Sequence, residues 1–140
     1  MERLIRIAER EGLHVKYRDL GRSSGYLYAP GLIVLNHQRS ELTQRITLAR
    51  ELGHWHHRHD WTTAHDRARD ERQADQYAAR LLIDAEAYKR AEEAVGEHAG
   101  AIARELGVTR RLVELRREDF ARDARILSTV EEWRADTSAS

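Results

Sequence analysis

Every stretch of this chain that reads at strand period lies before residue 37, and everything after Ser40 reads at helical period. That division predicts a small sheet packed on a larger set of helices, an α+β architecture. Residues 2–12 carry Leu4, Ile5 and Ala8 at helical spacing and stop at Gly12, which predicts a first helix. LHVKY at 13–17, YLYA at 26–29 and LIVLN at 32–36 predict three strands. The turn chemistry between them, GRSSG and then Pro30-Gly31, predicts a small antiparallel sheet, with the only proline in a hairpin turn.

Ser40 predicts an N-cap, followed by an apolar stripe of Leu42, Ile46, Ala49, Leu52 and Trp55. A polar stretch at about 58–66 separates this helix from a second over 67–83, with Ala74, Tyr77, Ala78, Leu81 and Leu82 on one face. Further helices are predicted from Asp84 to about 95, over 99–106 and 109–118, and from there to about 134. The expectation is one domain over 1–134 with a flexible tail at 135–140. No apolar run approaches the roughly 20 residues of a membrane span, and the N-terminus lacks the apolar core of a signal peptide. A cytoplasmic protein with no membrane partner is expected.

The charges balance, with 24 Lys and Arg against 24 Asp and Glu, which argues against nucleic acid as the main partner. There is no cysteine, which excludes disulfides, thiol nucleophiles and cysteine-based metal sites. Any metal would be held by histidine and carboxylate. Five of the eight histidines, His54, His56, His57, His59 and His65, fall within twelve residues.

The stretch most charged with chemistry is Thr47-Leu48-Ala49-Arg50-Glu51-Leu52-Gly53-His54. Positions 50 and 54 stack one turn apart on a helix. Two histidines there, with a glutamate after the first, make the H-E-x-x-H zinc motif, in which the glutamate takes a proton from metal-bound water. This chain reads R-E-x-x-H, with Arg50 at the first position. A third ligand would come from another helix, and Glu71 begins a face shared by Asp75 and Ala78.

Together, Ile33-Val34-Leu35-Asn36, then Arg45 through His54, then Glu71 through Leu82, resemble the ImmA/IrrE family of zinc metallopeptidases. The resemblance implies zinc as cofactor, His54 and Glu71 as metal ligands and Glu51 as general base, with Arg50 at the altered ligand position. It implies a protein substrate or regulatory protein partner, as in peptidases that cut repressors in phage and mobile-element settings. It also implies that strand 32–36 borders the cleft and holds an extended segment by strand addition.

Arginine stays protonated and has no lone pair for a metal. Three readings follow. Arg50 pairs with Glu71 or Glu51 and its charge replaces that of the metal, leaving a non-catalytic regulatory binder. Alternatively, His57 substitutes as a ligand, being three residues from His54, or His56, His59 or His65 folds back to do so. Or Arg50 is a substitution introduced into an ordinary peptidase. The plain reading of His56 and His59 is a solvated helix end, and that of residues 66–72 is a solvated charged face.

A competing class is a DNA-binding regulator. Residues 101–117 resemble a helix-turn-helix, with Gly107 at the turn, Thr109 as N-cap and Arg110, Arg111, Arg116 and Arg117 on the second helix. The same residues read also as a helical hairpin that closes the domain, and the neutral overall charge favours that reading.

Overall fold

The computed structural model describes residues 1–28, 31–58 and 67–139. Helix α1 (Glu2–Arg10) buries Leu4 and Ala8 in a cluster with Leu13, Ile33, Leu35, Leu48 and Leu52. Strands β1 (His14–Arg18), β2 (Gly25–Tyr28) and β3 (Leu32–Asn36) form one sheet in the order β1-β3-β2. The α+β class stands, but the sheet is mixed and not wholly antiparallel. β2 runs antiparallel to β3, with Leu27 opposite Ile33, while β1 runs parallel to it, with Val15 beside Ile33. Alternation dictates which residues face the core and is silent on strand direction. The connection over 19–24 carries the chain past the slot beside β1, and β3 then fills that slot. Buried Asn36 holds this connection, its Nδ2 donating to Gly21 O at 3.0 Å and Ser23 O at 2.8 Å. Pro30, and with it the predicted hairpin turn, lies outside the described residues.

Helix α2 (Glu41–His56) starts at the Ser40 cap, whose Oγ accepts from the Thr43 N–H at 3.1 Å. Its buried set is Thr47, Leu48, Ala49, Leu52, Gly53 and His54, wider than the predicted stripe, and Leu42 is exposed. The reason is that α2 is covered twice, by the sheet and by helix α3 (Arg67–Leu82). The approach to α3 is close enough to require glycine: a Cβ on Gly53 would lie 2.9 Å from Ala74 Cα and 3.0 Å from Ala74 O. Gly53→Ala is therefore expected to destabilise the fold by about 1–2 kcal/mol, its backbone clash outweighing the gain in helix propensity. Thermal unfolding checks this, and a raised midpoint would refute it.

Helices α4 (Ala85–Val95), α5 (Ala99–Leu106) and α6 (Arg110–Ala139) complete the chain. A second core joins Ala78, Ala79 and Ile83 to Tyr88, Ile102, Leu112 and Val113. Gly107 ends α5 in the left-handed conformation, φ 66°. The two predicted helices after Thr109 are one continuous helix, which passes the expected end near 134 and reaches Ala139. No described helix is long and apolar enough to cross a membrane.

Candidate functional site

Position 50 faces α3 because Gly53, almost one turn later, lets the two backbones meet. The Arg50 guanidinium spans two carboxylates of α3. Its Nε donates to Asp75 Oδ1 at 2.6 Å, and its Nη2 donates to Glu71 Oε2. Glu71 and Asp75 are one helical turn apart, so a single fork reaches both. On the far side, Asp75 Oδ2 lies 3.5 Å from Arg111 Nε of α6. Charges thus alternate along Glu71, Arg50, Asp75 and Arg111, binding α2, α3 and α6 together.

Burial disfavours the Arg50 charge, but the Asp75 hydrogen bond and the charges of Asp75, Glu71 and Glu51 outweigh it and raise its pKa. The Arg50 side chain is 34% exposed and that of Glu71 36%. Solvent screens the pair, and its stabilising effect is about 1 kcal/mol or less. Its importance lies in position.

His54 is buried, and its Nε2 sits 3.5 Å from Glu71 Oε1. Glu51 lies beside the sheet and accepts a hydrogen bond from the Leu27 backbone. Burial pushes its pKa up to about 7, Glu71 adding to the rise while Arg50 and the Leu27 hydrogen bond oppose it. His57 is the exposed C-cap of α2, its ring edge-on to His56 at 5.1 Å between centroids. His56 in turn packs on Tyr77 at 5.0 Å. His59, Trp61 and His65 lie outside the described residues.

The structure thus brings together Arg50, His54 and Glu71, with Glu51 on the next helical position. Sequence reasoning missed the role of Asp75, although its place one turn after Glu71 on the same face was the available signal. A catalytic zinc ion takes three protein donors and an open position. Among the described residues no three His, Asp or Glu side chains converge to hold a metal ion, and a guanidinium occupies one oxygen of Glu71. These donors do not fit a resident zinc.

The expected placement of strand 32–36 at the cleft border needs correction. β3 is the central strand and is paired on both sides, so it has no edge to offer. The edge nearest the cluster is β2, where the Leu27 backbone meets Glu51.

The four arginines of the helix-turn-helix reading are engaged within the chain. Arg110 Nε donates to Glu114 at 3.0 Å, and Arg111 faces Asp75. Arg116 Nε donates to Ile83 O at 2.9 Å, and Arg117 donates to Tyr88 Oη at 2.7 Å and to Glu97 O. The model of the IrrE N-terminal-like domain matches residues 8–118. No curated protein matches the chain.

Proposed function

Since this chain belongs to the IrrE N-terminal-like family of peptidases, we propose that it keeps the fold of its family as a non-hydrolytic, regulatory binding protein. The observation that carries this reading is the Arg50 guanidinium bridging Glu71 and Asp75. It puts a fixed positive charge where the metal-ligand histidine of the motif would stand, and it ties up the carboxylate that would be the third ligand. The partner we assign is an extended segment of a regulatory protein, added to the outer edge of β2, which no other described strand pairs. Tyr26 and Tyr28 of this strand are 43% and 62% exposed and supply aromatic surface at that edge.

One observation favours hydrolysis as the second reading: a glutamate titrating near 7 suits a general base at neutral pH. The engaged arginines of α6 support a closing hairpin over a DNA-binding element.

Metal analysis of the purified protein beside Arg50→His decides between the first two readings. The expected result is no zinc above trace in the unaltered protein and near-stoichiometric zinc in Arg50→His, where an imidazole joins His54 and Glu71. Stoichiometric zinc in the unaltered protein would overturn the proposal.

A further inference from the structure

The spacing of the buried positions on α6 continues into a stretch where apolar side chains stand exposed. Leu112, Leu115 and Asp119 are buried along it, and steps of seven from Leu112 through Asp119 lead on to Ile126 and Trp133. From 123 to 139 every residue is exposed except Val130. Ile126, Leu127 and Trp133 are exposed by 56%, 56% and 64%. This overhang lies wholly beyond the residues that the family model matches. A helix of this length, about 25 Å, is marginal in water without a packing partner. Ile126, Val130 and Trp133 share a stripe that such a partner would cover.

The charges beside the stripe point to the partner. On one flank Arg122 and Arg125 precede Thr129, and Glu132 and Asp136 follow it. The flank is therefore basic in its first half and acidic in its second. In an antiparallel pair related by a twofold axis, each flank faces the same flank of its partner. With the axis near Thr129, Arg125 of one copy meets Glu132 of the other, and Arg122 meets Asp136. The same register lays Ile126 over Trp133. A parallel pair would instead set this flank against the opposite flank of its partner, Arg122 beside Leu127 and Thr129 beside Arg134, with no pair of opposite charges. Arg122 already reaches Asp119 at 3.2 Å within its own chain and remains 41% exposed for a second carboxylate.

We propose that α6 is a self-association helix, pairing antiparallel with α6 of a second copy of this chain through Ile126, Val130 and Trp133. The test is sedimentation equilibrium on the full chain over a concentration series. The unaltered protein is expected to form a dimer, and Trp133→Glu to weaken it at least about tenfold, as loss of an aromatic anchor does. These side chains are exposed in the single copy, so the variants should keep the circular dichroism of the folded domain. Arg125→Glu is expected to weaken the dimer, and Arg125→Glu with Glu132→Arg to restore it. A chain that stays monomeric, a dimer indifferent to Trp133→Glu, or a double reversal no tighter than the single one would each overturn the proposal.

Discussion

Replacing Asp119 by alanine is expected to destabilise the protein by about 3 kcal/mol, near the low end for removing one partner of a buried ion pair. Asp119 is 1% exposed and receives two bonds from Arg80, Nε to Oδ2 and Nη2 to Oδ1, both at 2.9 Å. Arg122 reaches Oδ1 at 3.2 Å, and Arg116 lies 3.8 Å from Oδ2. The carboxylate therefore joins α3 to α6. Its loss leaves three cations around a small void. Arg80 and Arg122 are 56% and 41% exposed and can turn to water, which keeps the cost from rising further. Burial alone would raise the Asp119 pKa, but the Arg80 hydrogen bond and the charges of Arg80, Arg122 and Arg116 hold it below the ordinary range. A depressed pKa stabilises the fold above the unfolded value of about 3.9, and the benefit is lost as pH falls through the folded value. Urea unfolding at pH 7 should show the full difference from the unaltered protein, and the gap should close below about pH 4. An equal gap at both pH values would refute the electrostatic account.

Glu51→Gln is expected to act in the opposite sense and with the opposite pH dependence. The Glu51 pKa rises from 4.5 to about 7 because burial penalises its carboxylate. A raised carboxyl pKa leaves stability whole below the unfolded value and erodes it as pH climbs through the folded one. The window is therefore pH 4.5 to about 7, and the erosion across it is about 3 kcal/mol. Glutamine keeps an oxygen for the Leu27 backbone and has no charge to bury. The variant should match the unaltered protein at pH 4 and exceed it in stability by up to about 3 kcal/mol at pH 8. Equal unfolding midpoints at pH 8 would contradict the placement of this carboxyl.

How far the sequence reaches depends on whether a feature is local. Strand 32–36, the Ser40 cap and the Gly107 turn were legible because each depends on its own neighbours. The unusual Arg50 was legible too, since the motif defines what ought to stand there. Its choice of Asp75 alongside Glu71 was not, because that depends on how closely α2 meets α3. The parallel pairing of β1 and β3 was equally hidden: alternation carries no direction. Asp119 sits in the charged run Arg116-Arg117-Glu118-Asp119, where nothing local marks it as the buried member. The unbroken course of α6 was within reach, since neither glycine nor proline occurs after Gly107.

The contact of Gly53 with Ala74 makes the separation of α2 and α3 a property of main chain rather than of whichever side chain stands at position 50. The scaffold and the reagent it presents are thereby uncoupled. Arginine, histidine or a neutral residue at 50 can be exchanged against the same two carboxylates at nearly constant spacing. A substitution series at that one position would compare chemistries at fixed geometry.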